Sequence, residues 1–225
     1  MSSRRLAFLC SGSGGNLRVA RRATAEGLLP GWQLAGVVAD RECGALAWAR
    51  TAGLESRRVS AERGEDRELL AALEELRPDL VVAAFDRVLG DAVVRAWEGR
   101  IVNLHYSILP AFAGSTGAAS VRRALEAGCR VVGATVHRLT RELDAGPILA
   151  QAALGVPRGE DFGATMNRVF RCGAVSLMGV LAAWGEEFPR PEVGDSWRED
   201  VGALFSPAPR FADGAFGEAF WRSLA

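Results

Sequence analysis

Short apolar runs alternate with segments of helical periodicity along the first half of the chain. The apolar runs predict buried strands at 6–10, 34–39, 80–85 and 101–105, with a brief additional strand at 57–60. Helices are predicted to begin at Asn16 and to span 43–52, 65–76 and 91–97. Strands that are apolar along their whole length are typical of a parallel sheet covered on both faces. We therefore predict an α/β fold with a doubly wound, mostly parallel sheet in three layers.

The pattern changes after Pro110. A helix is predicted at 115–127, strands at 130–138 and 148–154, and a long helix at 160–183. From residue 189 onward the chain is richer in proline, glycine and charge, but aromatic residues interrupt it. We expect one main domain over 1–188, followed by a C-terminal aromatic tail over 189–225. The tail is expected to pack on that domain or on a partner.

Composition removes several classes of function. Among the 225 residues, 27 basic side chains balance 27 acidic ones, and every basic residue is an arginine. Without lysine there is no Schiff-base amine, P-loop lysine or pyridoxal phosphate attachment. The balanced charge argues against a nucleic-acid or membrane-surface partner, and no apolar run is long enough to cross a bilayer. We therefore expect this protein to bind neither nucleic acid nor membranes.

The cysteines give no metal or disulfide pattern. Cys10, Cys43, Cys129 and Cys172 are widely spaced and form no C-x-x-C motif. We therefore expect four buried thiols in a reducing compartment, which favours the cytoplasm, and no bound metal.

A glycine-rich turn follows the first predicted strand and opens the first helix. It reads SGSGGN at 11–16. Glycines let the backbone turn tightly, and a helix N-terminus presents free N–H groups, so Gly14, Gly15 and Asn16 are expected to bind phosphate. The dinucleotide fingerprint needs a third glycine where Leu17 stands, although Asp40 keeps that reading open. The simpler alternative to phosphate binding is a turn that only connects the strand to the helix.

Polar residues also follow the fifth strand. Asn103 and His105 lie two positions apart near its end, and therefore on the same side of the strand. In open α/β sheets ligands bind at this end of the strands. Asp144 lies in a polar loop between two later strands. An amide, an imidazole and a carboxylate suit proton-assisted acyl chemistry, although a core histidine and a turn aspartate would explain two of them without catalysis.

Five motifs together resemble the folate-dependent formyltransferases over about residues 6–183. They are SGSGGNL at 11–17, FDRVL at 85–89, NLHYSILP at 103–110, GATVH at 133–137 and LDAGPI at 143–148. The resemblance implies a Rossmann-like formyltransferase fold and 10-formyltetrahydrofolate as co-substrate, with no metal. It implies catalytic roles for Asn103, His105 and Asp144. It places the folate beside Arg87, Val88, Leu89, Arg138, Leu139, Thr140, Arg141, Glu142 and Leu143.

The resemblance is less specific about the acceptor. The default is phosphoribosylglycinamide, the amine formylated in purine biosynthesis, with its phosphate at the glycine turn. One alternative acceptor is another amine metabolite. The other is water, in which case the protein would be a 10-formyltetrahydrofolate hydrolase. Tyr106 replaces the usual proline, residues 113–119 look like an insertion, and the glutamate expected within 168–174 is missing. We expect small-molecule partners only, and a homodimer is left open.

Overall fold

The computed structural model describes residues 3–60, 66–185 and 194–224. The elements in chain order are β1 (Arg4–Cys10), α1 (Gly15–Ala25), β2 (Trp32–Ala39), α2 (Gly44–Thr51), β3 (Ser56–Arg58), α3 (Arg67–Leu76), β4 (Leu80–Ala84), α4 (Asp91–Ala96), β5 (Ile101–His105), α5 (Ala118–Glu126), β6 (Val131–Arg138), β7 (Ile148–Gly155), α6 (Phe162–Ala182), β8 (Ser196–Arg198), β9 (Ala203–Ser206) and α7 (Glu218–Arg222). The strands follow the order β3-β2-β1-β4-β5-β6-β7-β9-β8. This mixed α/β structure with a mostly parallel sheet confirms the predicted fold class.

The chain divides into two compact units. The first runs to Asn103 and includes Arg138–Leu143. Its strands pair in parallel, with Phe8 of β1 opposite Val37 on one side and Val82 on the other. Residues 6–10 of this strand are buried between its neighbours because they are apolar on both faces, as a covered parallel sheet requires.

The second unit contains Leu104–His137 and the chain from Asp144 onward. Here β6 and β7 pair antiparallel, and β9 then pairs antiparallel with β7. Helix α6 is the longest helix of the described residues and is buried over most of its second half. Its apolar residues supply much of the core of this unit.

Residues 194–224 hold regular structure that the sequence pattern did not predict. Strand β9 extends the antiparallel strands of the second unit by pairing Phe205 with Ala152 of β7. The rings of Phe216, Phe220 and Trp221 pack with centroids 4.8 to 6.2 Å apart. The predicted boundary between residues 188 and 189 lies outside the described residues.

Two smaller expectations have clear outcomes. Cys10 and Cys172 are buried, but Cys43 and Cys129 are only half-buried, so the prediction of four buried thiols is wrong for that pair. Cys43 precedes helix α2 and Cys129 follows the end of α5, where the side chain of a terminal residue is partly reached by solvent. None of the helices in the described ranges is long and apolar enough to cross a membrane.

Candidate active site

Strand β5 delivers two of the predicted catalytic side chains. It spans Ile101–His105, the bounds that the apolar run predicted, and it pairs in parallel with β4. Ile101 and Val102 are buried and fix the strand in the sheet. Asn103 is half-buried and His105 is buried at the C-terminal end of the strand. The strand therefore ends in polar groups where open α/β sheets bind ligands.

The structure brings His105 and Asp144 together. His105 Nδ1 lies 3.4 Å from Asp144 Oδ2, and both side chains are more than nine-tenths buried. Asp144 adopts a left-handed backbone conformation with φ of 53°, which is uncommon for a residue other than glycine. The N–H of Gly114 also donates to Oδ2, at 2.8 Å. The Asp144 carboxylate is held in one place, where it can accept a hydrogen bond from the Nδ1–H of His105 and so orient the imidazole.

His137 lies on the other side of the same carboxylate. Its Nε2 is 3.7 Å from Asp144 Oδ1, and its ring is buried. The two oxygens of Asp144 therefore face the two histidines of the chain separately. The sequence marked His137 as part of a motif but gave it no role, because strand periodicity does not reveal which loop its ring will meet.

The second ring nitrogen of His105 also has neighbours. Its Nε2 lies 3.3 Å from the carbonyl oxygen of Phe112 and 3.4 Å from the hydroxyl oxygen of Ser120. Phe112 has a positive φ of 59°, a left-handed backbone conformation that few residues other than glycine adopt. Sequence reasoning missed both neighbours. A backbone carbonyl and a serine outside any motif leave no signal in the sequence.

The turn that follows His105 is fixed by Thr135 of strand β6. The Thr135 hydroxyl donates to the carbonyl of Ser107 at 2.7 Å and accepts from the N–H of Leu109 at 3.0 Å. The side-chain amide of Gln151 donates to Thr135 Oγ1 and to the Leu109 carbonyl. The segment that leaves strand β5 is therefore held by buried hydrogen bonds.

The first predicted folate segment, residues 87–89, begins with a nearly buried arginine. Arg87 Nη1 lies 3.6 Å from Asp66 Oδ1, and its guanidinium lies 5.2 Å from the ring centroid of Phe85. Val88 is exposed over 56% of its surface, whereas Leu89 is buried in the core. This segment therefore offers an exposed apolar side chain beside an anchored cation.

The second predicted folate segment follows strand β6, whose last residue is Arg138. The N–H of Leu139 donates to the carbonyl of Ile101 at 3.0 Å. Leu143, at the end of the segment, is exposed over 56% of its surface. Exposed apolar side chains on an anchored backbone suit a flat aromatic ligand.

The middle of this segment is tied to helix α4. Arg141 forms an ion pair with Asp91, and this hydrogen-bonded guanidinium lowers the pKa of the Asp91 carboxyl. Both partners are exposed, so the pair contributes little to stability. Next to it, the Thr140 hydroxyl donates to the carbonyl of Glu142 and so closes a short turn.

The glycine turn has the geometry that its sequence predicts. Gly14 has a positive φ of 76°, and a Cβ on it would lie 2.8 Å from the Cβ of Ala45. No other residue fits that position without a shift. Helix α1 begins at Gly15, one residue earlier than predicted, and Asn16 lies in its first turn. Phosphate binding at the N-terminus of this helix stays a prediction.

The buried thiols are unsuited to nucleophilic chemistry. Burial raises the pKa of Cys10 and of Cys172 to about 12, so both are uncharged thiols near neutral pH. Within the described ranges there is also no cluster of three or more histidine, cysteine or acidic side chains that would hold a metal ion.

Comparison with known proteins gives one consistent family. The family described as formyl transferase matches residues 4–181. The phosphoribosylglycinamide formyltransferase of Mycobacterium tuberculosis is 39% identical over 163 residues, which cover 70% of this chain and 74% of the relative. The enzyme of that name from Escherichia coli is 34% identical over 161 residues, covering 69% and 74%.

Longer relatives and solved structures agree. The trifunctional purine biosynthetic protein adenosine-3 of Bos taurus is 33% identical over 171 residues, and the chain spans only 17% of its length. The crystal structure of glycinamide ribonucleotide transformylase 1 from Symbiobacterium toebii superposes with a TM-score of 0.75 at 32% identity, covering 81% of this chain and 87% of that one. With a family match over most of its length and relatives of this similarity, the chain belongs to the formyl transferase family.

Proposed function

We propose that this protein transfers the formyl group of 10-formyltetrahydrofolate to the amine of a small metabolite, with phosphoribosylglycinamide as the default acceptor. The observation that carries the proposal is the buried pair of His105 and Asp144 at the end of strand β5. The similarity to enzymes named phosphoribosylglycinamide formyltransferase supports the choice of acceptor. We expect the reaction to take place in the cytoplasm, and the homodimer stays a prediction.

The catalytic residues would act on a tetrahedral intermediate. The acceptor amine attacks the formyl carbon, and the formyl oxygen becomes an oxyanion. The intermediate then collapses as the bond from that carbon to the folate nitrogen breaks, and the proton that the amine loses goes to this nitrogen, which releases tetrahydrofolate. The side-chain amide of Asn103 and the protonated ring of His105 would donate hydrogen bonds to that oxygen. The Asp144 carboxylate would stabilise the charged ring through Nδ1, from which it lies 3.4 Å away. Loss of one oxyanion donor typically raises the barrier by about 3–4 kcal/mol.

The donor would bind along residues 87–89 and 138–143. Val88 and Leu143 are exposed apolar side chains that a flat pterin ring could cover. The backbone of the second segment is anchored by the Leu139 hydrogen bond, so its peptide groups are preorganised to bind the ring edge. Pairing of Arg87 with Asp66 holds the cation of the first segment in place.

One observation favours a second candidate acceptor, a different amine metabolite. Residues 168–174 of helix α6 contain no acidic side chain, although the family resemblance leads us to expect one there. At Gly173 a Cβ would lie 2.9 Å from Ala134 Cβ and 3.2 Å from Leu104 Cδ1. A longer side chain at that position needs a shift of the strand residues against which the helix packs. The acceptor would then be recognised without a carboxylate from this part of α6.

The decisive experiment measures tetrahydrofolate release from 10-formyltetrahydrofolate against a panel of amines. Turnover with phosphoribosylglycinamide supports the default acceptor, and turnover with another amine supports the second candidate. Turnover without any amine favours the hydrolase alternative. If no tetrahydrofolate is released under any of these conditions, the proposed function is wrong.

The role of His105 is tested in the same assay. His105→Ala should lower kcat by at least about 100-fold, because it removes both an oxyanion donor and the partner of Asp144. Donor affinity, measured by ligand-induced fluorescence change, should stay within about threefold, since we place the folate on other segments. A variant with near-normal kcat would remove His105 from the mechanism.

A further inference from the structure

Ser120 is a completely buried serine of helix α5 that contacts the ring of His105. Its hydroxyl oxygen lies 3.4 Å from His105 Nε2 and donates to the carbonyl of Ser115 at 3.2 Å. No sequence motif includes it. A buried hydroxyl beside a catalytic ring nitrogen is in a position to influence proton chemistry there.

The other neighbours of the His105 ring can only accept hydrogen bonds. The Asp144 carboxylate faces Nδ1, and the Phe112 carbonyl faces Nε2. An ionised carboxylate and a carbonyl both lack a proton to donate. A doubly protonated ring therefore satisfies both neighbours. A neutral ring leaves one nitrogen lone pair facing an acceptor.

A serine hydroxyl differs from both of these groups, because it donates one hydrogen bond and accepts others. While its proton points to the Ser115 carbonyl, a lone pair of Ser120 can accept from Nε2–H. When Nε2 carries no proton, rotation about the Cβ–Oγ bond lets Ser120 donate to it instead. The single hydroxyl thus matches both protonation states of the ring.

We propose that Ser120 is a positioning residue that holds the imidazole of His105 in place as its protonation state changes. The proposal rests on the proposed function, because it assumes that His105 gains and loses a proton during formyl transfer. Ser120 itself does not touch the reacting atoms in this account. It keeps the ring aligned on Asp144 in the free protein, and the oxyanion then replaces Ser120 and the Phe112 carbonyl as the acceptor of the hydrogen bond from Nε2–H.

The segment that leads into α5 is built to hold Ser120 there. The N–H of Gly114 donates to Asp144 Oδ2, and Arg123 donates to the hydroxyl of Ser115. The carbonyl of Ser115 is in turn the acceptor for Ser120.

The test compares three variants in the formyl transfer assay. Ser120→Ala removes the hydroxyl, Ser120→Thr retains it, and Ser176→Ala is the matched control. Ser176 is a buried serine of α6 whose hydroxyl has no hydrogen-bond partner among the described residues. We expect Ser120→Ala to lower kcat by about 5- to 20-fold, as loss of one hydrogen bond would, with donor KM within about twofold. Ser120→Thr should restore most of the rate, and the control should match wild type.

A second measurement does not depend on turnover. Long-range 1H–15N spectra of the free protein report the ring nitrogens of its two histidines, and the His105→Ala spectrum assigns the signals. Ser120→Ala should move the Nε2 signal of His105, whereas Ser176→Ala should leave it in place. If Ser120→Ala unfolds, Ser120→Cys, which fills the site with a slightly larger group and a weaker donor, should show the same two effects.

The outcomes separate this inference from the proposed function. A Ser120→Ala protein with normal kcat, or with an unmoved Nε2 signal, overturns the positioning role. If the wild-type protein releases no tetrahydrofolate, the proposed function fails, and the role of Ser120 in that reaction falls with it. In that case an Nε2 signal that moves would still establish the hydrogen bond itself.

Discussion

Replacing Thr135 by valine should cost far more stability than its small chemical change suggests. The two side chains have nearly the same shape, but valine lacks the hydroxyl. Thr135 is completely buried, and its hydroxyl makes one hydrogen bond as donor and two as acceptor. A hydroxyl has one proton and two lone pairs, so this one is fully used.

The size of the effect follows from the partners that the valine variant would leave behind. The Ser107 carbonyl would lose its donor and the Leu109 N–H its acceptor, and both residues are buried. The Gln151 amide would still donate to the Leu109 carbonyl. Each buried polar group left without a partner costs about 1–3 kcal/mol. We therefore expect Thr135→Val to lower the free energy of unfolding by roughly 2–6 kcal/mol, a large part of the stability of an ordinary domain.

Urea unfolding followed by tryptophan fluorescence measures this difference. Thr135→Ser is the matched control, because it keeps the hydroxyl and loses only one methyl group, which costs about 1 kcal/mol. The activity of the valine variant should also fall, since Thr135 holds the turn directly after His105. If the valine variant is as stable as the serine variant, or lies within about 1 kcal/mol of wild type, the hydrogen-bond argument is wrong.

Two further predictions concern other parts of the molecule. Iodoacetamide at pH 8 should modify Cys43 and Cys129 well before Cys10 and Cys172, because burial raises the pKa of the latter two thiols to about 12; mass spectrometry of tryptic peptides checks this, and early labelling of Cys172 would contradict it. Asp200→Asn should destabilise the protein at pH 7 by roughly 1–3 kcal/mol, because the buried Arg198 guanidinium hydrogen-bonds this carboxylate and lowers its pKa. The stabilisation by the ionised Asp200 carboxylate is present above its ordinary pKa near 3.8 and is lost as the pH falls through the lowered value. The difference in stability between variant and wild type should therefore shrink below about pH 4. A difference in stability that grows in acid would refute the prediction.

The sequence determined most of the first unit and the position of β5. The strand at Ile101–His105 has the bounds that the apolar run predicted, and β1, β2 and β4 differ by a few residues. These strands are buried on both faces, so their whole length is apolar and readable locally. Gly14 was also predictable, because a tight turn between a strand and a helix needs a positive φ.

The tertiary structure decided the surroundings of His105. The pairing with Asp144 was expected from the chemistry of the two side chains and from the family resemblance. The contacts of His105 with Phe112 and Ser120, and that of Asp144 with His137, were not expected at all. The same holds for the pairing of β9 with β7. A sequence pattern reports which face of an element is apolar, because that periodicity is local. Which polar groups meet across separate loops depends on how the elements pack, and no local pattern records that.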